Sequence, residues 1–131
     1  MQKKTKRSIQ WVRQNKKLEY AGVHLFAEFW YGKIIEDPKE IKKILIGAVK
    51  ESKNTPLEVV VHKFSPQGAT GVILLAESHL SIHTWPEIDY VAIDIFTCGE
   101  KAAPYKALNY LKKKFKPKKV EVKAIKRGIL R

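Results

Sequence analysis

Tyr20–Tyr31 alternates in a way that an extended chain uses and a helix does not. Val23, Leu25, Ala27 and Phe29 fall on one face, and His24, Phe26, Glu28 and Trp30 on the other. Period two with this aromatic content predicts a strand. Tyr90–Thr97 repeats the pattern, with Val91, Ile93 and Ile95 opposing Ala92, Asp94 and Phe96. Lys118–Ile125 does so again through Val120, Val122 and Ala124. Leu57–Phe64 is a valine-rich strand, closed by the turn Ser65-Pro66-Gln67-Gly68. Thr70–Ala76 is apolar and β-leaning and runs on into Glu77–Trp85.

Two segments have the helical period instead. In Asp37-Pro38-Lys39-Glu40, Asp37 can cap, Pro38 suits the first helical position and Glu40 completes a capping-box spacing. Ile41, Ile44, Leu45, Ala48 and Val49 then make one stripe, and Asn54-Thr55-Pro56 ends the helix. Pro104 opens a second helix with the stripe Leu108, Leu111 and Phe115, closed by Lys116-Pro117.

The order β-α-β-β-β-α-β predicts an α+β fold: a two-layer sandwich with a mainly antiparallel sheet and two helices on one face. The other sheet face would also be apolar, and one chain has no third layer to cover it. Two sheets packed face to face in a homodimer would. With 131 residues the chain is one domain, read as a basic extension over 1–19 and a single domain over 20–131.

The formal net charge is +13, which alone suggests a nucleic-acid or anionic-surface binder. Its distribution argues otherwise. Residues 1–19 hold seven basic residues against one acidic, and 101–131 hold twelve against one. Residues 20–100 hold seven basic against eleven acidic. No apolar run is long enough to span a bilayer, and MQKKTKR is followed by no signal-like apolar stretch. A cytoplasmic protein is expected. The single cysteine, Cys98, excludes an intramolecular disulfide framework and any multi-cysteine metal site.

Reactive side chains crowd into Ala76-Glu77-Ser78-His79-Leu80-Ser81-Ile82-His83-Thr84-Trp85-Pro86-Glu87, with Thr97-Cys98-Gly99-Glu100 following. His79 and His83 would make a metal pair on a helix. On a strand their Cα atoms lie roughly 13 Å apart at about 3.3 Å per residue, so no shared metal is expected. Ser78, His83 and Glu87 have the residue types of a hydrolase triad, but no Gly-x-Ser-x-Gly elbow accompanies them.

AESHLSIHTWPE followed by YVAIDIFTCGEKA resembles the bacterial and archaeal S-adenosylmethionine decarboxylases. GVHLFAEFW, HKFSPQGATGVILLAES, KALNYL and the terminal KRGI extend the likeness over roughly residues 20–129. The resemblance implies a pyruvoyl cofactor made from the chain's own backbone by cleavage between Glu77 and Ser78, giving a β chain 1–77 and an α chain 78–131. Ser78 is then the pyruvoyl precursor that forms a Schiff base with the substrate. His83 is the proton acceptor during processing, and Thr70 is a supporting hydroxyl where the family more often has serine. Cys98 is the proton donor in decarboxylation; a thiol with an ordinary pKa of about 8.5 is mostly protonated at neutral pH. Phe64 matches an aromatic position beside the adenine, with plain core packing as the equal alternative. Glu87 matches a carboxylate for the ribose hydroxyls or the cationic substrate. His62 and His79 are read as structural or supporting, and His24 as a strand-face residue.

The implied reaction is decarboxylation of S-adenosylmethionine to the aminopropyl donor for spermidine synthesis. Two other readings remain at this point. Pyruvoyl-dependent arginine or ornithine decarboxylases share the self-cleavage motifs, although Phe64-Ser65-Pro66 and KRGI favour the S-adenosylmethionine enzymes. A basic nucleic-acid-binding module would use the charged ends, but no recognised motif supports it.

Overall fold

The computed structural model describes residues 20–76, 78–98 and 102–130. The extension 1–19 and Glu77 lie outside them. The elements are β1 (Tyr20–Trp30), α1 (Pro38–Glu51), β2 (Pro56–Lys63), β3 (Ala69–Leu75), β4 (Ser78–Trp85), β5 (Tyr90–Cys98), α2 (Ala102–Phe115) and β6 (Lys119–Ile129), with a 3-10 turn at Pro86–Ile88. The strands form one sheet in the order β2-β3-β4-β5-β1-β6, with every neighbouring pair antiparallel.

The two-layer α+β architecture is the expected one. Between the helices the chain lays down four strands where the sequence order has three. The apolar stretch from residue 70 to 85 folds back on itself, with Leu75 paired to Ser78, so one long β-leaning run becomes two strands.

The helix stripes decide which face of the sheet is buried. Asp37 caps α1 by accepting from the Lys39 N–H at 3.3 Å. Ile41, Ile44, Leu45, Ala48 and Val49 are all buried, as the spacing predicts. With Leu108, Leu111 and Phe115 of α2 they cover Leu25, Phe29, Ile73, Leu80, Ile82, Ile93 and Ile95. α1 comes very close to β3: a Cβ on Gly71 would lie 2.9 Å from Leu45 and 3.1 Å from Ile41. Any other residue would require those side chains to give way.

The other face differs from expectation. Phe26, Val60, Leu74, Trp85 and Ile125 do lie exposed on it. Its centre, however, carries His24, His79, Ser81, Thr70, His83, Glu28, Tyr90 and Asp94. Polar groups can occupy a sheet face where they satisfy one another, and these do.

Candidate active site

Ser78 closes the β3–β4 hairpin. Leu75 and Ser78 are register partners, so the two strands meet directly at Ser78. Ser78 shares the helix side of the sheet with Leu75 and Leu80. Its hydroxyl oxygen is buried and has no hydrogen-bond partner among the described residues. Leaving such a group unsatisfied costs about 1–3 kcal/mol, so it is not there for stability.

Thr70 and His83 are the second element. They sit opposite each other on β3 and β4, with Thr70 Oγ1 3.0 Å from His83 Nδ1. The ring therefore has a fixed orientation on the open face, beside Trp85 at a centroid distance of 6.0 Å. Phe64 and Glu87 belong to the same end of the sheet. Phe64 is exposed at the end of β2, its ring edge-on to His62 at 4.6 Å. The Phe64 N–H donates to the Gly68 carbonyl at 2.8 Å and closes the turn. Gln67 in that turn donates to Glu87 at 3.4 Å. The exposure of Phe64 removes the core-packing alternative.

Cys98 lies at the opposite end, half-buried. At this end the β4–β5 ladder closes with His79 opposite Phe96, two residues before Cys98. Cys98 shares the open face with Phe96 and Asp94 and faces Gly22 on β1. The structure thus puts Ser78 and Cys98 at the same end of neighbouring strands with their side chains on opposite faces, and Thr70, His83, Phe64 and Glu87 at the other end. It does not bring the two groups together. Ser78 and His83 are five residues apart on one unbroken strand, about 17 Å at 3.4 Å per residue, and face opposite sides.

One cluster was not legible beforehand. His24 Nε2 meets one oxygen of Asp94, and His79 Nε2 meets the other at 3.2 Å. Ser81 adds a contact to the same carboxylate at 3.5 Å, and Arg127 reaches His24 Nδ1 at 3.2 Å. Alternation places His24 and Asp94 on strand faces, but only the sheet register shows that the faces coincide. One ligand atom from each of His24, His79 and Asp94 lies within 4.8 Å of the others, a metal-like grouping. Arg127 argues against that use. A guanidinium only donates, so His24 Nδ1 accepts and the ring proton sits on Nε2, the nitrogen a metal would take.

Tyr90 closes the far end of this face. Its hydroxyl donates to Glu28, and its ring stacks on Trp30 at 4.5 Å and Trp85 at 5.5 Å. Burial first, and the Glu28 contact second, push its phenol far above the ordinary tyrosine range. On the opposite layer, a groove of about 740 Å³ between α1 and α2 is lined by six lysines, among them Lys33, Lys43 and Lys113, against the two carboxylates Asp37 and Glu40. This groove is net positive and lies behind the sheet, on the helix layer.

A family model described as S-adenosylmethionine decarboxylase matches residues 23–128. The chain belongs to the S-adenosylmethionine decarboxylase family. A protein of Methanococcus maripaludis (strain C7) named S-adenosylmethionine decarboxylase proenzyme is 47% identical over 115 residues, 86% of this chain and 94% of that protein. One of the same name from Acetivibrio thermocellus is 47% identical over 111 residues, 82% and 89% of the two chains. The crystal structure of the adenosylmethionine decarboxylase from Aquifex aeolicus matches with a TM-score of 0.76 at 34% identity, covering 86% of this chain and 95% of that one. The likeness spans 94%, 89% and 95% of these three proteins, respectively. Among the described residues, no helix is long and apolar enough to cross a membrane.

Proposed function

We propose that this chain is a self-processing enzyme that decarboxylates S-adenosylmethionine, the substrate in the names of its relatives. The observation that carries the proposal is the buried Ser78 hydroxyl at the start of β4, which has no hydrogen-bond partner among the described residues. Attack by Ser78 Oγ on the carbonyl carbon of Glu77 exchanges the amide for an ester. Removal of the Ser78 α-proton then expels the carboxylate of chain 1–77. Water replaces the nitrogen left on residue 78, ammonia departs, and a pyruvoyl group caps chain 78–131. That group supplies an electrophilic ketone which takes the substrate's amine and draws in the electrons released with carbon dioxide. Cys98, on the neighbouring strand, gives a proton to the substrate carbon that has lost carbon dioxide.

His83 is the base in this scheme, and within one chain it is too far from Ser78 to act. The reading therefore requires two copies. An isologous pair with the open sheet faces together and the two-fold axis near Ser81 sets His83 and Thr70 of one copy over the end of the other copy's sheet where the Ser78 backbone and Cys98 lie. The same arrangement covers Phe26, Val60, Leu74, Trp85 and Ile125, which one copy leaves exposed. Phe64 and Glu87 then reach the reaction from the copy that supplies His83. They contact the adenine and the ribose or sulfonium of the substrate, with the acidic middle of the sequence matching a cation. A cytoplasmic location belongs to the same reading, since a working thiol must stay reduced.

The test measures carbon dioxide release from S-adenosylmethionine and from arginine in parallel. Release from S-adenosylmethionine is expected. Release from arginine alone would overturn the substrate assignment.

A further inference from the structure

We infer that Asp94 is a positioning residue for the reacting end, acting through His79 and held in turn by His24 and Arg127. The inference rests on the reading of Ser78 given above. The hydrogen positions follow from one donor-only group. Arg127 Nη1 lies 3.2 Å from His24 Nδ1, so that nitrogen accepts and His24 Nε2 carries the proton toward Asp94. The second Asp94 oxygen accepts from His79 Nε2 at 3.2 Å, with the Ser81 hydroxyl at 3.5 Å. The carboxylate thereby receives donors from both rings, and the His79 ring is fixed in orientation and in tautomer.

The chain of contacts is braced. His24 is only 8% exposed and stacks between Phe26 and Phe96, at centroid distances of 4.3 and 5.1 Å. The Arg127 guanidinium lies 5.1 Å above the Phe96 ring. Phe96 is also the register partner of His79, so the brace returns to the residue it serves.

His79 is the residue through which this matters. Its backbone nitrogen forms the amide that joins residue 78 to the rest of β4. Before cleavage residue 78 is held from both sides; afterwards only the His79 amide holds it. Electrons released with carbon dioxide flow toward carbonyl groups attached to that amide, so its orientation relative to the substrate sets the alignment of the reacting bonds. A neighbour anchored by backbone pairing on both sides and by its ring to Asp94 keeps that orientation. The logic is that of a carboxylate holding an imidazole in one tautomer beside a reacting group.

Asp94→Asn tests this in the full-length enzyme. Asparagine keeps the size but offers one acceptor oxygen, so it cannot receive both rings. Self-cleavage is followed by mass, turnover by carbon dioxide release, and the ring nitrogens of His24 and His79 by ¹⁵N NMR. The expected result is a slower cleavage, a kcat lower by about tenfold with KM within about twofold, and loss of the Nε2-protonated signal of one ring. Arg127→Ala, at the exposed end, is expected to change the His24 signal and lower kcat less. If the wild type decarboxylates S-adenosylmethionine and Asp94→Asn matches it in cleavage and kcat, the inference fails and the function stands. If the wild type neither cleaves nor decarboxylates, the reading of function fails and the inference with it. Stoichiometric Co²⁺ binding by the wild type, lost in Asp94→Asn, would make the cluster a metal site and overturn the positioning role.

Discussion

Thr70 and His83 face each other across the β3–β4 hairpin, with the threonine hydroxyl 3.0 Å from His83 Nδ1. The hydroxyl is the only side-chain hydrogen-bond partner of this ring among the described residues, and a proton acceptor must be aimed to work. Thr70→Val keeps the branched shape and removes the hydroxyl. It is expected to slow self-cleavage about tenfold, the low end for a misaimed base, with little change in melting temperature. Thr70→Ser keeps the contact and loses only the methyl that stiffens the rotamer, so it should cleave at least as fast as wild type. Time courses of fragment appearance compare the three chains; Val and wild type cleaving alike would remove Thr70 from the processing machinery.

If Ser78 and His83 act across two copies, defective chains should complement each other. Ser78→Ala and His83→Ala are each expected to be inactive alone. Co-expressed, they form mixed pairs in which one of two sites has both residues. Random assortment predicts roughly a quarter of wild-type carbon dioxide release. No recovery in pairs shown to be mixed would return both residues to one chain and contradict the strand geometry.

Cys98 is assigned to proton donation after carbon dioxide has left, so its loss should separate processing from turnover. Cys98→Ala is expected to cleave normally and to lose roughly a hundredfold or more in kcat, the usual range for removing a general acid. Parallel loss of cleavage would place the thiol earlier in the sequence of events.

Tyr90 makes a separate prediction about the far end of the sheet. Its phenol ionises well above the ordinary value because of burial and the hydrogen bond to Glu28. The proton is retained in the folded chain where the unfolded chain has lost it. Stability from this pair is therefore complete below the ordinary tyrosine pKa of about 10 and declines as pH rises above it. Ultraviolet titration should show one of the five tyrosines ionising late, and Tyr90→Phe should remove that late phase. A single phase common to all five would contradict the assignment.

How far the sequence could be read follows from the range of each signal. The α1 stripe Ile41, Ile44, Leu45, Ala48 and Val49 was legible residue for residue, because helical period and capping are local. The alternation of β1 and β5 was legible for the same reason. The break between β3 and β4 was not, since both halves are apolar and the Ala76-Glu77 pair carries no turn signature in the sequence. In the site, the motif around Ser78, His83 and Cys98 identified the residues to examine. The separation of Ser78 from His83, and the meeting of His24, Asp94, His79 and Arg127, depend on which strands are neighbours and in what register. Pairing between residues as distant as His24 and Asp94 leaves no local trace in a single sequence. The face opposite the helices was expected to be apolar for the same reason: its polar residues satisfy each other only once the strands are side by side.

The central claim is self-cleavage at Ser78, and intact-mass analysis of the purified chain tests it most directly. The account predicts two species, residues 1–77 with an ordinary carboxyl end and residues 78–131 with a ketone in place of an amino terminus. Ser78→Ala should then give a single uncleaved species of 15.1 kDa. A wild-type chain that stays whole after long incubation, or a Ser78→Ala chain that is still cut at the same bond, would contradict it.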